Sequence, residues 1–316
     1  MKMLFIAPKY EGGIGGHAFR VAEKLRERGH DIKLMHTPHL PIKKLKNPSF
    51  AALSSIKAIF DTEKYDIVHA FNLPSAFAMK QVNAKKKILS IHGVYSEQVN
   101  ALHSETTTKA ASATESKVLK WADVLTTDSQ IVKDTYKKKL NVDFEFMYAP
   151  LDIEKFKKIK DVKKKDNQVV YVGRDSFEKG IDILKKIEPK IKANVVYCTD
   201  MEWEDAMRKL KESQILIIPS RMESIPQVIK EAFYLKVPVI AFDVGGISEL
   251  VQDGINGKLI SPENEEELLE QINILLNDKQ VIQKMGENGY DFVVKNLTWE
   301  SLLPKYEDFY QKLLKN

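Results

Sequence analysis

Short apolar runs alternate with longer amphipathic stretches along the chain, a pattern typical of strands alternating with helices. Several runs are almost continuously apolar, as expected for strands buried on both faces of a sheet. We therefore predict an α/β fold with mainly parallel sheets. The runs predicted as strands are MLFIAP (3–8), DIKLMH (31–36), YDIVHAF (65–71), KILSIHG (87–93), DVLTTDS (123–129), FEFMYAP (144–150), VVYVG (169–173), NVVYC (194–198), ILIIPS (215–220), PVIAFD (238–243) and GKLIS (257–261).

Three other stretches show clear helical periodicity. Residues 17–28 place apolar side chains on one face of a helix, and residues 263–277 do the same with leucine and isoleucine. A last helix is predicted over 298–314, with Thr298 as its N-cap.

The alternation is interrupted once, by a lysine-rich segment. Residues 155–168 contain seven lysines and few apolar residues, which favours a solvated linker or an exposed helix. The strand–helix pattern then restarts at Val169. We predict two α/β domains, 1–151 and 169–297, joined by a basic linker at 152–168. Two such domains would create a cleft between them, a common place for a ligand.

Composition narrows the class of protein. A chain of 316 residues is long enough for about two domains, and a hydrophobic fraction of 43% excludes disorder. The single cysteine, Cys198, cannot form an internal disulfide, so we expect a reducing, cytoplasmic location. No apolar run reaches the ~18 residues of a membrane span, and the N-terminus is typical of a first strand rather than a signal peptide. The net charge of +5 comes with no nucleic-acid motif, so we expect no nucleic-acid partner.

A glycine-rich segment, PKYEGGIGGH (8–17), follows the first strand and leads into a helix. Gly13, Gly15 and Ala18 fit the spacing of a dinucleotide fingerprint, but the second strand ends at Met35–His36 without the acidic residue that would hold a ribose. Two interpretations remain: a tight turn that needs small residues, or a contact with a phosphate or substrate.

A second segment, YVGRDSFEKG (171–180), follows the first strand of the second half. Arg174 and Lys179 lie five positions apart on this loop. Two cations there could neutralise a diphosphate, with arginine able to bind two oxygens. The alternative is a pair of solvated charges.

A third segment, PSRMESIPQVIKEAF (219–233), runs from the end of a strand into a helix, and Pro226 suits its first turn. Glu223 precedes this helix and Glu231 lies within it. Both carboxylates could face the mouth of the cleft and accept hydrogen bonds from sugar hydroxyls. Alternatively, they are a capping and a surface glutamate.

Two further features complete the candidate chemistry. Gly245–Gly246 follow a strand, and Glu249 is predicted in the first turn of a helix. His69 and His92 end apolar strands, where side chains face the ligand side of a parallel sheet, although each could also be a structural histidine. The histidines form no cluster with metal-ligand spacing and no D-x-D motif follows a strand, so we expect no metal site.

In combination these segments resemble glycosyltransferase family 4, the retaining enzymes of the GT-B fold. The resemblance extends from about residue 3 to 300 and preserves the order of the family's motifs. The matching pieces are GGIGGH with LRERGHDI, IVHAF, SIHG, ADVLTTDS, YVGRDSFEKG, PSRMESIPQVIKEA and PVIAFDVGGISELVQDGINGKLI.

The resemblance implies two Rossmann-like, doubly wound domains facing across a cleft. The N-terminal domain would bind the acceptor, the C-terminal domain a nucleotide-sugar donor, and a final helix over 298–316 would pack back on the first domain. Arg174 and Lys179 would hold the diphosphate, Glu231 the ribose and Glu223 the transferred sugar. His92 would lie near the sugar and join Arg174, Lys179 and Glu223 as catalytic residues. The donor-binding set implied is Gly12, Gly13, Gly15, Gly16, Gly173, Arg174, Lys179, Glu223, Ile225, Pro226, Gln227, Val228 and Glu231.

Two departures from the family pattern concern the donor. Ser224 replaces the usual glycine after the first glutamate, and Ile225 replaces an aromatic residue. The interval 181–214 is shorter than usual, as though one strand–helix unit were absent, and this region normally helps to hold the base. The identity of the base is therefore left open.

We interpret the chain as a cytoplasmic, metal-independent, retaining glycosyltransferase without a cofactor. It would move a hexose from a nucleotide-diphosphate sugar to a hydroxyl of a glycan or lipid-linked acceptor. The alternatives are a GT-B-fold epimerase or phosphorylase, and a non-catalytic sugar-nucleotide-binding module. Lysine groups at 43–46, 85–87 and 137–139 could form a peripheral contact with the inner face of a membrane, or simply a solvated surface.

Overall fold

The computed structural model describes residues 1–9, 13–40, 42, 45–94 and 114–315. Two units can be distinguished within it: Met1–Ala149 with Leu303–Asn316, and Pro150–Leu302. Each is built around one parallel sheet.

The first unit contains a six-stranded sheet in the order β2-β1-β3-β4-β5-β6, in which every pair of neighbours is parallel. Its core is centred on β1, whose residues from Met3 to Ala7 are fully buried. The strands are β1 (Lys2–Pro8), β2 (Asp31–Thr37), β3 (Lys64–Ala70), β4 (Asn83–Ser90), β5 (Val124–Thr127) and β6 (Glu145–Phe146). Its helices are α1 (Gly13–Glu27), α2 (Lys46–Ile59), α3 (Ala76–Gln81) and α4 (Gln130–Leu140), and residues 114–119 are also helical.

The second unit contains a five-stranded parallel sheet in the order β11-β10-β9-β7-β8. Its strands are β7 (Gln168–Val172), β8 (Asn194–Cys198), β9 (Ile215–Ile218), β10 (Val239–Phe242) and β11 (Gly257–Ile260). Its helices are α5 (Ile181–Ile187), α6 (Trp203–Glu212), α7 (Gln227–Tyr234), α8 (Glu265–Leu276) and α9 (Lys279–Asn296). The last helix, α10 (Trp299–Lys315), begins in this unit, and its residues from Leu303 onward belong to the first unit. Counted from its own first strand, this sheet repeats the order of the first, 2-1-3-4-5.

The predicted α/β class with parallel sheets is confirmed, and each predicted run contains a strand. The last strand of the first sheet is much shorter than predicted, because only Glu145 and Phe146 pair with β5.

Two helices differ from the sequence analysis. Helix α1 begins at Gly13 rather than at residue 17, because tertiary packing overrides the poor helix propensity of glycine. Helix α9 was not predicted. Its buried face includes Gly286 and Gly289, which a search for apolar periodicity does not count.

Part of the lysine-rich segment is packed rather than solvated. Residues Ile153–Lys158 form a short 3-10 turn that buries the ring of Phe156. This ring contacts Trp203 and Tyr234 edge-on, with centroids 5.0 and 4.7 Å away. One aromatic side chain thus anchors an otherwise polar stretch to the second unit.

Candidate functional site

The two loops predicted to bind a diphosphate and a sugar both begin at the topological switch point of the second sheet. Strands β7 and β9 are neighbours, but the chain continues from β7 to one side of the sheet and from β9 to the other. In open α/β sheets a crevice forms at the carboxyl ends of such a pair, and ligands bind there. Arg174 and Lys179 follow β7, and Glu223 follows β9.

Gly180 brings these two loops into direct contact. Its φ of +64° lies in the left-handed region, and a Cβ at this position would lie 1.8 Å from the carbonyl oxygen of Pro219. Only glycine avoids both the backbone strain and the collision. The close approach carries Lys179, the preceding residue, to the end of β9.

Lys179 and Glu223 form an ion pair at this point. The Nζ of Lys179 lies 2.7 Å from the Oε1 of Glu223, and the hydroxyl of Ser220 donates a hydrogen bond to the same oxygen at 2.8 Å. The Glu223 side chain is only 9% exposed and that of Lys179 only 25%. Away from bulk water such charges act more strongly on a bound ligand. The structure thus joins a cation and a hydrogen-bond acceptor.

The paired glycines after β10 support the Glu223 loop from behind. Gly245 has a φ of +55°, and a Cβ there would lie 1.8 Å from the carbonyl oxygen of Glu223. The amide of Gly246 donates a hydrogen bond to the carbonyl of Ser224 at 2.8 Å. The expectation that Glu249 lies in the first turn of a helix is wrong, because it is the last residue of a short 3-10 segment, Gly245–Glu249.

Arg174 is placed differently from Lys179. Its side chain is 73% exposed, and its guanidinium pairs with Glu178 at 3.3 Å. Its backbone carbonyl accepts a hydrogen bond from the hydroxyl of Tyr171 at 2.7 Å. Gly173 lies under the Tyr171 hydroxyl, since a Cβ there would lie 2.9 Å from that oxygen. Burial raises the pKa of Tyr171, so this phenol remains a hydrogen-bond donor. The backbone of the loop is held while the Arg174 side chain stays in solvent.

Residues 225–228 lead the chain from the Glu223 loop into α7. Pro226 is the N-cap and is buried, Ile225 and Val228 are half-buried, and Gln227 is exposed. The helix therefore begins one residue later than a proline in its first turn would imply.

Glu231 contacts a residue that the sequence analysis did not select. The indole Nε1 of Trp203, the first residue of α6, donates a hydrogen bond to Glu231 Oε1 at 2.8 Å. Glu223 is thus bound by Lys179 and Ser220, and Glu231 by Trp203 on α6. Trp203 lies within 181–214, the interval that the sequence analysis identified as shortened, and no motif signals its role.

The glycine-rich segment of the first unit is described from its second glycine, Gly13, onward. Gly12 lies outside the described residues, whereas Gly13, Gly15 and Gly16 lie in the first turns of α1. The side chain of His36 hydrogen-bonds to the backbone of Gly15, and burial lowers the pKa of His36.

His92 follows β4 and is oriented by an acidic partner. Its Nδ1 lies 3.0 Å from the Oδ1 of Asp128, the residue after β5. Its Nε2 is buried and has no hydrogen-bond partner within the described residues. The ring of His17 stands edge-on to it, with centroids 5.9 Å apart, and both line a small cavity with Ser90. His17 was not among the candidate residues, although its position after β1 could have suggested a place at the carboxyl edge.

His69, in contrast, has both ring nitrogens satisfied. Tyr310 lies 2.8 Å from Nδ1 and Ser90 2.6 Å from Nε2, and the side chain is fully buried in the first unit. This arrangement supports the structural interpretation of His69. Burial lowers its pKa well below the usual 6.5, and the nearby His17 and His92 act in the same direction.

We therefore expect stability to fall as the pH is lowered through about 6.5. Below that value the unfolded chain protonates His69 while the folded chain does not, so protons favour unfolding. His69→Gln removes this titration. The difference in unfolding free energy between wild type and His69→Gln, measured by urea denaturation, should be smaller at pH 5.5 than at pH 7.5. A difference independent of pH would show that His69 does not titrate in this way.

Within the described residues, no group of three or more His, Cys, Asp or Glu side chains is arranged to hold a metal ion. The arrangement at the switch point of the second sheet instead offers a cation, a carboxylate and backbone groups. Such a set can bind an anionic ligand that also carries hydroxyl groups.

Two family models match consecutive parts of the chain. The model described as Glycosyltransferase Family 4 matches residues 11–155, and the model described as Glycosyl transferases group 1 matches residues 151–278. Together they cover residues 11–278, which include every strand except β1 and the loops described above.

A relative and two solved structures resemble nearly the whole chain. An uncharacterized glycosyltransferase of Methanocaldococcus jannaschii is 22% identical over 371 aligned positions, covering 96% of this chain and 95% of that protein. The alignment is longer than this chain of 316 residues, so the relative carries additional residues.

Among solved structures, the sucrose-phosphate synthase of Thermosynechococcus elongatus matches with a TM-score of 0.79 at 16% identity, over 99% of each chain. The Anabaena protein HepE, described in complex with UDP-glucose, matches with a TM-score of 0.75 at 17% identity, over 99% of this chain and 100% of that one. At such identities the likeness shows the fold. The chain has a two-domain, Rossmann-like GT-B fold, and that prediction is confirmed.

Proposed function

Because this chain belongs to the group 1, family 4 glycosyltransferases, we propose that it is a retaining enzyme that transfers a hexose from a nucleotide-diphosphate sugar. The observation that supports this most directly is the Lys179–Glu223 pair at the switch point of the second sheet. A sugar diphosphate presents phosphate oxygens beside hydroxyl groups. A lysine and a carboxylate in contact are complementary to that combination.

In this proposal Lys179 and Arg174 bind the diphosphate. Lys179 stabilises the charge that develops on the leaving phosphate, in a position already fixed before the reaction. Arg174 is exposed, and its surface contact with Glu178 contributes only ~0–1 kcal/mol, so its guanidinium is able to turn to two phosphate oxygens.

The two glutamates bind hydroxyl groups. Glu223 accepts hydrogen bonds from the transferred sugar, with the loop residues Ile225 to Val228 beside it. Glu231 accepts them from the ribose and is oriented by the indole of Trp203. Neither role requires the glutamate to gain or lose a proton, because carboxylate oxygens accept hydrogen bonds directly from hydroxyl groups.

We also assign residues of the first unit to this function. His92 offers the Nε2 atom that lacks a partner within the described residues, and Asp128 holds the opposite nitrogen. We propose that this nitrogen lies near the transferred sugar, and that Gly13 and its neighbours approach the donor phosphate.

The transfer step requires neither a cofactor nor a metal in this proposal. The bond between the anomeric carbon and the diphosphate oxygen breaks through an oxocarbenium-like state. The acceptor oxygen forms its bond on the same face, and its proton passes to the departing phosphate oxygen. The diphosphate leaves as an anion held by Lys179 and Arg174, and the anomeric configuration is retained.

For the acceptor, we propose a hydroxyl of a glycan or of a lipid-linked sugar, modified in the cytoplasm. The buried, unpaired Cys198 supports a reducing compartment.

The proposal is tested by binding and by stereochemistry. Purified protein should show a raised melting temperature with UDP-glucose or with another sugar nucleotide from a panel differing in base and sugar. The anomeric configuration of the transferred sugar, read by NMR, should match that of the donor. An inverted product would contradict retention, and no stabilisation or turnover with any sugar nucleotide would contradict the transferase assignment.

Replacing Glu231 with alanine should weaken donor binding about 10- to 100-fold, since a hydrogen bond to a charged group contributes ~1.5–3 kcal/mol. Trp203→Phe keeps the aromatic packing but removes the N–H donor, and should give a smaller loss. Glu266→Ala, on an exposed position of α8, is the control. Calorimetric affinities for the donor that are equal in Glu231→Ala and Glu266→Ala would exclude the ribose role.

A further inference from the structure

Helix α2 of the first unit carries an apolar face that is exposed to solvent. Its buried side consists of Phe50, Ser54 and Ala58, which recur every four residues, and Phe50 and Ala58 belong to the core of the first unit. Larger apolar side chains lie on the opposite side. They are Leu45, Leu53, Ile56, Ile59 and Phe60, each between 41% and 79% exposed, with Leu40 and Ile42 also exposed just before the helix.

We propose that this face, here called the α2 face and comprising the exposed apolar residues just named with Lys46 and Lys57, docks on an anionic lipid surface. This inference goes beyond the proposed function and does not depend on it. A contiguous exposed apolar patch marks an interaction site rather than an ordinary protein surface. Helices that lie in a membrane interface combine such a face with lysines beside it.

The positive charge of residues 32–60 favours an anionic partner for the α2 face. Residues 32–60 contain five lysines and no aspartate or glutamate. The acids that follow, Asp61 and Glu63, are both paired with Lys33, at 3.0 and 2.9 Å. Lys46 and Lys57, at the two ends of α2, are exposed. Positive charge beside an apolar stripe is complementary to anionic lipid headgroups above acyl chains.

The other two lysine groups of this unit lack that combination. Lys85 is paired with Asp66 at 2.7 Å, and Lys137 with Asp143 at 2.7 Å. The charge near them is thus partly neutralised within the protein. Among the described residues, neither of these two stretches adjoins as many exposed large apolar side chains as α2 carries.

A second copy of the chain is a poorer partner for the α2 face. A twofold contact would set the same surface against itself and bring the two lysine-rich segments together. Like charges opposed across an interface disfavour association. An anionic bilayer can bury the apolar side chains of the α2 face and pair with its lysines, without this repulsion.

The proposal is tested by vesicle sedimentation. The full chain should bind vesicles of equal parts phosphatidylglycerol and phosphatidylcholine at low salt, bind them less at high salt, and bind pure phosphatidylcholine weakly. Ile56→Asp should lower the affinity for the mixed vesicles by at least about tenfold. It removes apolar area that the lipid would bury, and it adds a carboxylate that anionic headgroups repel. Ile274→Asp, at a similarly exposed apolar position on α8, should leave binding unchanged.

Charge and insertion are measured separately. Lys57→Gln should weaken binding about fivefold at low salt and less at high salt. Phe60→Trp, at the most exposed of these positions, should show a blue-shifted emission with mixed vesicles. Circular dichroism and thermal melting establish that each variant is folded.

Three results would overturn the proposal: no sedimentation at low salt, equal binding by wild type and Ile56→Asp, or no emission shift in Phe60→Trp. A wild-type dimer that Ile56→Asp converts to monomer, without lipid binding, would instead assign the α2 face to a second copy. Hydrolysis of the donor in solution tests the proposed function independently.

Discussion

Lys179→Met is expected to lower the rate constant for sugar transfer by about 100-fold or more. Removing one fixed group that stabilises developing charge typically costs a factor of ~10²–10³. Lys179 is three-quarters shielded from solvent and is held 2.7 Å from Glu223, so it meets the requirement of a pre-positioned cation. Rapid-quench measurement at saturating donor reports the transfer step.

The control for Lys179→Met is Lys185→Met. Lys185 lies six residues further along the chain, on α5, and forms an exposed pair with Asp175 at 3.1 Å, so its loss should leave the rate unchanged. Lys179→Met also leaves the Glu223 carboxylate without its cation. The double variant Lys179→Met with Glu223→Gln removes that charge and should remain slow while recovering stability. A wild-type rate in Lys179→Met would exclude the catalytic role.

Gly245→Ala is expected to destabilise the protein by about 2–5 kcal/mol. The left-handed backbone costs a non-glycine residue about 1–2 kcal/mol, and overpacking adds about 1–3 kcal/mol. The new Cβ would lie 1.8 Å from the carbonyl oxygen of Glu223, so the loops after β9 and β10 must separate. Donor binding should therefore fall together with stability.

Gly254→Ala distinguishes the collision from the backbone strain. Gly254 has a φ of +73°, but a Cβ there meets no atom within 4 Å. Its substitution should cost only about 1–2 kcal/mol, the left-handed strain alone, and should leave donor affinity unchanged. Both variants are compared by urea denaturation. If Gly245→Ala and Gly254→Ala lowered the free energy of unfolding by the same amount, the Glu223 loop would move away from Gly245 without cost.

The strands were predictable because burial leaves a direct mark on composition. The run MLFIAP is apolar because Met3 to Ala7 have no exposure on either face of β1, and this needs no knowledge of distant residues. Helix α9 was not predictable in the same way. Gly286 and Gly289 are buried because the backbone of Lys236 and the ring of Phe233 come close to them. These are tertiary contacts, and the sequence around the two glycines does not show them.

In the candidate site, too, the position of a residue along the chain was predictable, whereas its tertiary contacts were not. Arg174, Lys179 and Glu223 were selected because they lie on loops that follow strands, and strand ends lie at one edge of a parallel sheet. Glu231 was selected because helical side chains lean towards the N-terminus of their helix. Their partners could not be selected. Trp203 reaches Glu231 from another helix, and Asp128 reaches His92 from another strand, 36 residues later.

By itself the sequence determined the α/β class, the runs that form strands, and the loops that carry the candidate chemistry. These properties depend on local periodicity and on the position of a residue relative to the end of its own strand. Only the tertiary structure decided that Lys179 meets Glu223 while Arg174 stays in solvent, and that α2 turns its larger apolar side chains outward. Those outcomes depend on which elements become neighbours, and contacts between residues far apart in the chain leave no periodic signal in it.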